Sequence, residues 1–326
     1  MKRREFVTLL GATVAWPRPV GAQTLTKVFR IGLLSALAPP GDGSPFVAPF
    51  IQGLAKHGYT QGRNLAFERR GAEGRLERLP GLVNELVAGG ADVIVAFGYP
   101  ATLAAKQGAT VPVVAFAAGD PVATGLVESL ARPGGNLTGV SDFASELSAK
   151  RLELLKEMVP GLRRVAMLWN ASDLGMTLRY QASEVAAKAM GIVVQPLGVR
   201  EPDDFEQAFT GMTREKPDGI LMVSDSLTTL NRKRVFEFAA MHRLPAIYEF
   251  NFLVREGALM SYSMDLGEGL GRVASLVDRI LKGTKPADLP FEQPTRFWIA
   301  VNLKTAKSLN LEVPGPLLAR VDEVIE

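Results

Sequence analysis

The stretch at residues 91–121, ADVIVAFGYPATLAAKQGATVPVVAFAAGDP, contains one complete unit of the predicted fold. Residues 92–97 form an apolar run rich in Val and Ile, and a second apolar run spans residues 111–116. Between them lie the turn Gly98-Tyr99-Pro100 and strong helix formers at residues 101–107. This order predicts strand, loop, helix and strand. Because both runs are apolar at nearly every position, we expect helices to cover both faces of a parallel sheet.

The same order returns in the second half of the chain. Residues 218–223 (DGILMV) are followed by a polar turn at residues 224–226, a helical stretch near residues 228–242 and a strand at residues 244–248. Asp92 corresponds to Asp218, and Pro112 corresponds to Pro245. Ligands of parallel α/β sheets bind beyond the carboxyl ends of the strands. Two such halves therefore predict a cleft between two polar rims.

Further apolar runs complete two lobes. We predict strands at residues 28–34, 64–69, 137–141, 164–169, 192–197, 258–261 and 297–302, and helices at 46–57, 79–88, 145–158, 174–190, 203–212 and 270–281. The fold class is α/β, with two doubly wound parallel-sheet lobes joined by a three-segment hinge. We expect residues 28–141 plus 265–293 in the N-terminal lobe and residues 142–264 plus 294–326 in the C-terminal lobe.

Residues 1–22 have the pattern of an export signal, with a basic start, an apolar middle and small residues before a cleavage point after Ala22. Arg3 and Arg4 resemble the start of a twin-arginine signal. A buried first helix is the alternative, although Pro17 and Pro19 would interrupt it. We therefore predict a periplasmic protein.

The composition excludes several classes of protein. Hydrophobic residues make up 47% and charged residues 22% of the chain, as in soluble globular proteins, and we expect no transmembrane helix. The net charge of +3 falls to about zero once residues 1–22 are removed, so nothing favours nucleic-acid binding. The chain has no cysteine, which excludes disulfides, thiolate metal sites and lipid attachment through cysteine. The two histidines, His57 and His242, lie far apart in the sequence, and we expect no metal site, no cofactor and a monomer.

Several longer segments resemble the periplasmic ABC-transporter substrate-binding proteins of the type I fold, and specifically the group that binds aromatic amino acids such as tryptophan. The resemblance covers almost all of residues 28–326 and is carried by QGLAKHGYTQGRNLAFERRGAEG (52–74), AFAAGDPVATGLVESLARPGGNLTGVS (115–141), KRLELLKEMVPGLRRVAMLWN (150–170), HRLPAIYEF (242–250), GALMSYSMD (257–265) and LPFEQPTRFWIAVNLKTAKSLNL (289–311). It implies a small-molecule ligand and an inner-membrane permease as partners. Two positions depart from the group's pattern: Tyr99 replaces a small hydroxyl residue, and serines replace the Gly and Pro that usually flank Asp225.

An amino-acid ligand needs an anion site, an acidic partner and an apolar pocket. The turn before the helix at residues 101–107 offers N–H groups to a carboxylate, with Ala101 and the hydroxyl of Thr102 close by, although an ordinary helix cap explains the turn equally well. Asp225 is our first choice for the ammonium partner. Glu249 and Asp120 are its rivals, and their ordinary alternatives are a surface ion pair for Glu249 and a turn with Pro121 for Asp120.

The remaining candidates are polar or aromatic residues that follow predicted strands. Trp169 lies inside an apolar run and is better explained as a core residue, so Asn170 is the preferred polar contact there. The complete set of candidate ligand-binding residues is Ser35, Tyr99, Ala101, Thr102, Asp120, Asn170, Asp225, Tyr248, Glu249 and Tyr262.

The function predicted from the sequence is a two-lobed receptor that closes on an amino acid or related compound and delivers it to a permease. An exported α/β enzyme with the same cleft is the alternative, but we find no convincing nucleophile with its base, metal cluster or cofactor fingerprint. A repressor of the same fold is a second alternative, which the export signal at the N-terminus disfavours.

Overall fold

The computed structural model describes residues 27–142 and 144–326. The predicted export signal and its cleavage point after Ala22 lie outside the described residues. Within the described part of the chain, no helix is both long enough and apolar enough to cross a membrane.

The described strands form two separate sheets. The first sheet has the order β2-β1-β3-β4-β5 and all its pairs are parallel. The second has the order β12-β11-β10-β9-β8-β6-β7, and its pairs are parallel except β10–β11, which is antiparallel. The strands are β1 (Phe29–Ser35), β2 (Leu65–Gly71), β3 (Val93–Phe97), β4 (Val113–Phe116), β5 (Leu137–Val140), β6 (Arg164–Asn170), β7 (Val193–Val199), β8 (Gly219–Met222), β9 (Ala246–Tyr248), β10 (Met260–Met264), β11 (Phe297–Asn302) and β12 (Glu323–Ile325).

Helices cover both sheets. They are α1 (Ala48–Lys56), α2 (Leu79–Ala88), α3 (Tyr99–Gly108), α4 (Ala144–Met158), α5 (Leu174–Ala189), α6 (Asp204–Glu215), α7 (Ser226–Leu230), α8 (Arg232–Met241), α9 (Asn251–Arg255), α10 (Leu266–Leu281), α11 (Leu303–Ser308) and α12 (Gly315–Leu318). The helical stretch that the sequence predicted near residues 228–242 is present but interrupted: the chain leaves helical geometry at Asn231, which ends α7 and precedes α8.

The two faces of the first sheet belong to two separate cores. Ile31 and Val95 pack with α1 and α10 on one face, whereas Leu34 and Ile94 pack with α2 and α3 on the other. Successive strand residues point to opposite faces, and both faces are covered. This explains why the strands are continuous apolar runs rather than alternating patterns.

Equivalent contacts recur in the two sheets, as the sequence repeat predicted. A carboxylate oxygen of Asp92 accepts a hydrogen bond from the N–H of Arg30, and one of Asp218 accepts from Arg164, both at 2.8 Å. The carbonyl oxygens of Pro112 and Pro245 accept from N–H groups of the preceding strands β3 and β8, at 2.9 and 2.8 Å. Strands β1 and β6 also occupy equivalent places, each second from an edge of its sheet and between two parallel neighbours.

The chain passes between the two sheets three times. It leaves the first sheet after β5 to enter α4, which packs on the second sheet, and returns after β10 to α10, which packs on α1, β4 and β5. It crosses again between α10 and β11. These connections accord with the expected lobes of residues 28–141 plus 265–293 and 142–264 plus 294–326, whose boundaries stay a prediction.

A close approach of two helices ties the returning segment to the first lobe. At Gly53 in α1, an added Cβ would lie 2.7 Å from the Cβ of Ala274 in α10 and 3.3 Å from the Cα of Gly271. Contacts this short force the helices apart. Only glycine therefore allows α1 and α10 to pack at this distance.

We expect Gly53→Ala to lower the free energy of unfolding by about 1–3 kcal/mol, because the new methyl group overpacks the α1–α10 contact. The matched control is Gly81→Ala in α2, where an added Cβ meets nothing within 4 Å. That control should be neutral or stabilising by up to about 1 kcal/mol, since alanine favours helix. Urea unfolding of both variants checks this, and equal stabilities would contradict the packing argument.

Candidate ligand-binding cleft

A cavity of about 450 Å³ lies between the two sheets. Its lining comes from segments that follow β1, β3, β4 and β5 of the first sheet and β6, β8 and β9 of the second. These are the carboxyl ends of the strands, where parallel α/β sheets bind their ligands. The volume lies within the range typical of small-molecule sites.

Five phenylalanines form an aromatic wall of this cavity: Phe46, Phe97, Phe116, Phe250 and Phe252. Phe46 lies in the loop after β1, and its ring centroid is 5.3 Å from that of Phe250 and 5.8 Å from that of Phe252, both edge to face. It also lies 6.3 Å from Phe97 and 6.4 Å from Phe116. Edge-to-face pairs stabilise beyond the area that they bury. The aromatic wall therefore joins the two lobes through Phe46.

Four charged side chains form a buried ion cluster beside the cavity. Arg179 of α5 donates hydrogen bonds to Glu249 at 2.7 Å and to Asp142 at 2.6 Å. Arg151 of α4 donates to the same oxygen of Glu249 at 3.1 Å and to the carbonyl of Tyr262 at 2.8 Å. All four side chains are at most 9% exposed. Asp142 lies on the first crossing, so the cluster links that crossing to the second sheet.

The guanidinium of Arg179 stays charged in this setting. Burial lowers its pKa, but the carboxylates of Asp142 and Glu249 raise the pKa by more, so that the net direction is upward. A buried charge is tolerated when opposite charges and hydrogen bonds compensate its lost hydration. The cluster is therefore a structural ion network with its charges already paired.

Asp173 and Asp225 form an acidic pair in the same cavity lining. The Oδ1 atom of Asp173 caps α5 by accepting from the N–H of Met176 at 3.2 Å. Asp225 caps α7, exchanging hydrogen bonds with Thr228, and accepts from the side-chain amide of Asn170. Among the residues that the structure describes, no Lys, Arg or His forms an ion pair with either carboxylate.

Burial, and then the nearby charge of Asp225, raises the pKa of Asp173 to about 6. The Oδ2 atom of Asp173 is buried and has no hydrogen-bond partner, as is also true of Oγ of Ser224 and Oδ1 of Asp142. Buried polar atoms are nearly always satisfied in folded proteins. These oxygens, all in residues that line the cavity, therefore have unused hydrogen-bonding capacity.

Comparison with known proteins places this arrangement in a family. The model of the family described as ABC transporter substrate binding protein matches residues 44–325. The chain belongs to this family. A curated relative, the tyrosine-binding protein of Clostridioides difficile (strain R20291), is 28% identical over 265 residues, which are 81% of this chain and 76% of the relative.

Two solved structures have the same sequence identity to this chain but differ in their structural similarity to it. A protein from Streptococcus pneumonia in complex with L-Trp has a TM-score of 0.84 at 25% identity, covering 92% of this chain and 100% of that one. A ligand-free, open substrate-binding protein from Clostridium difficile has a TM-score of 0.66 at 25% identity, covering 91% and 99%. This structure is therefore more similar overall to the L-Trp complex than to the ligand-free, open structure.

Four of the candidates from the sequence line the cavity: Ser35, Tyr99, Asp225 and Glu249. The expected alternative for Glu249, a surface ion pair, is wrong, because Glu249 is 2% exposed and bonded to two arginines. Tyr99 is buried next to the start of α5, since a Cβ on Gly175 would lie 3.5 Å from its own. The first lobe thus contacts the residues beside Asp173.

The other six candidates lie outside the lining. Thr102 is buried and its hydroxyl donates to the carbonyl of Gly98 at 2.8 Å, as in the helix-cap alternative. Asp120 is exposed, and its carboxylate accepts from the N–H groups of residues 122 and 123 at 3.0 Å, which is the expected turn. Tyr248 is 1% exposed within the core of the second sheet. The remaining three are Ala101, Asn170 and Tyr262.

Sequence reasoning missed Arg179, Asp142, Asp173 and the aromatic wall. Arg179 lies inside α5, where an arginine usually faces water, so no local pattern distinguishes it. Phe46 gave a signal, because a phenylalanine ends the Pro- and Gly-rich loop that follows the first predicted strand. Asp173 also gave a signal, because it lies in the loop after β6, which corresponds to the loop after β1 in the first half of the chain.

We expect Glu249→Gln to lower the free energy of unfolding by about 3 kcal/mol, because it leaves the buried charges of Arg151 and Arg179 without their shared partner. The control is Glu215→Gln, which removes an exposed pair with Arg164 and should cost less than about 1 kcal/mol. Guanidinium unfolding measures both. Similar losses in the two variants would show that the buried cluster contributes no more than a surface pair.

Proposed function

We propose that this protein is the receptor of an ABC importer, and that it binds an aromatic amino acid or a closely related amine in the cleft and delivers it to an inner-membrane permease. The observation that carries the proposal is the combination, within one cavity, of the aromatic wall and an acidic pair that has no cationic partner among the described residues. The relatives that bind tyrosine and L-Trp support the same class of ligand. Export to the periplasm, cleavage near Ala22 and a monomeric state are parts of this proposal.

The ligand has one contact site for each of its groups. Its ring packs against the aromatic wall, and its ammonium group meets the acidic pair, of which Asp225 was expected from the sequence. Its carboxylate lies at the start of α3, where the first turn of a helix leaves N–H groups without helical acceptors. Pro100 has no N–H and Ala101 lies outside the lining, so Tyr99 supplies the donor. The hydroxyl of Ser35 lies at the same rim of the first sheet.

Closure follows from the distribution of these groups. The start of α3 and Phe46 belong to the first lobe, whereas Asp173, Asp225, Phe250 and Phe252 belong to the second. A ligand shifts a conformational equilibrium only through the contacts that differ between the two states. A ligand that touches both lobes therefore favours the closed state, and three chain crossings act as the hinge.

The direct test is a thermal-shift and calorimetric screen of the protein against L-tryptophan, L-tyrosine, L-phenylalanine, leucine and ribose. At about 100 times its dissociation constant, a ligand should add about 2.7 kcal/mol to the free energy of unfolding. Small-angle scattering should show compaction with the same compound. The proposal fails if no aromatic amino acid or amine stabilises the protein.

We expect Phe46→Ala to weaken binding of the best aromatic ligand about tenfold or more, because it removes the ring that joins the two halves of the aromatic wall. The control is Phe29→Ala at the opposite end of β1, where the ring packs on Tyr59 outside the cavity. That control should retain the affinity of the wild type even where its melting temperature falls. Calorimetric titration of both variants measures the difference.

A further inference from the structure

The charges in the cavity lining divide into paired and unpaired groups. Asp142 and Glu249 are paired through the buried ion cluster. Glu256 is paired with Arg232 through two hydrogen bonds, at 2.5 and 3.2 Å. The two carboxylates that remain without an ion-pair partner in the described lining are those of Asp173 and Asp225.

Asp173 is the more deeply buried of the two, with 3% of its surface exposed. Its Oδ1 atom is occupied by the cap of α5, but its Oδ2 atom is buried without any partner. The groups that act on it electrostatically are Asp225 after β8, Arg179 on its own helix, and the hydroxyl of Tyr99 on α3 of the first lobe. Two carboxylates that share a site hidden from water resist being charged together.

Ser224 adds a third oxygen to this part of the lining. It precedes Asp225, is 6% exposed, and its Oγ atom has no hydrogen-bond partner. A protonated primary amine has three N–H donors and one positive charge. An ammonium group would therefore satisfy unpartnered acceptors and, at the same time, separate the two like charges.

We propose that Asp173 and Asp225 act together as a two-carboxylate site for one protonated amine, that Asp173 determines the preference for amines over neutral and acidic analogues, and that binding displaces a proton from the pair at acidic pH. This proposal rests on the proposed function, since it concerns the same cleft. It assigns to Asp173 a direct contact with the ligand.

The pH dependence follows from the sign of the pKa shift. The pKa of Asp173 in the empty cleft is raised to about 6, first by burial and then by Asp225, while Arg179 acts in the opposite direction. A bound ammonium favours the charged carboxylate and lowers that pKa. Affinity is therefore constant well above pH 6 and falls as the pH drops through this value, by up to about tenfold per unit. The pKa of Tyr99 is raised by burial and by Asp173, so this hydroxyl stays neutral throughout.

The experiment is isothermal titration of the protein with L-tryptophan, tryptamine and indole-3-propionate at about pH 5 and about pH 7.5, in two buffers of different ionisation enthalpy. Because the pKa of Asp173 is about 6, we expect the two amines to bind about tenfold more weakly at the lower pH and to release a proton there. Indole-3-propionate, which has no amine, should bind more weakly than tryptamine at the higher pH.

The decisive variant is Asp173→Asn, because asparagine keeps the cap of α5 through its amide oxygen but has no charge to titrate. We expect it to bind the amines at least tenfold more weakly at about pH 7.5 and to lose the pH dependence between the two conditions. The matched control is Asp204→Asn in the first turn of α6, whose carboxylate accepts from the N–H of Arg200 away from the cavity. That control should keep both the affinity and the pH dependence.

The outcomes separate this proposal from the proposed function. If the wild type binds L-tryptophan with equal affinity at both pH values and releases no proton, the role of Asp173 is overturned while the receptor function stands. The same holds if indole-3-propionate binds as tightly as tryptamine, or if Asp173→Asn keeps the pH dependence. If no compound with an amine binds the wild type, both proposals fail.

Discussion

The buried charge of Arg179 is the constraint on which the arrangement of the two lobes depends. Its guanidinium bonds to Glu249, at the end of β9 in the second sheet, and to Asp142, on the first crossing from the first sheet. Removing charges from water costs several kcal/mol per ion, so the partners must be present in good geometry. Because Glu249 follows a central strand and Asp142 follows an edge strand, the cluster determines how the first crossing lies against the second sheet.

The pairing of these charges determines which kind of ligand the cleft suits. Since the arginines beside the cavity are committed to Asp142, Glu249 and Glu256, they do not neutralise the acidic pair of Asp173 and Asp225. The aromatic wall makes the same space less polar, and electrostatic attraction is stronger in less polar surroundings. The cleft is thus suited to a guest that combines an apolar ring with a positive charge.

Much of the fold follows from sequence pattern. Continuous apolar runs predicted parallel strands covered on both faces, and the repeat of Asp92 and Pro112 at Asp218 and Pro245 predicted two similar halves. The antiparallel entry of β11 and the break at Asn231 had no comparable signal, because both depend on tertiary contacts. Topology also explains why four of the ten candidate ligand-binding residues line the cavity. It brought Ser35, Tyr99, Asp225 and Glu249 to one cavity. Arg179 and Phe46 needed packing partners from distant parts of the chain.

The return of α10 to the first lobe affects the order in which the protein folds during synthesis. One face of the first sheet, with Val114 and Phe116, packs on Leu270 and Val273 of α10. Those residues are made only after most of the second sheet, from β6 to β10, has been translated. This face of the first sheet therefore stays exposed until residue 281 has emerged from the ribosome. The core of the N-terminal half is completed by a helix that is synthesised after most of the second sheet.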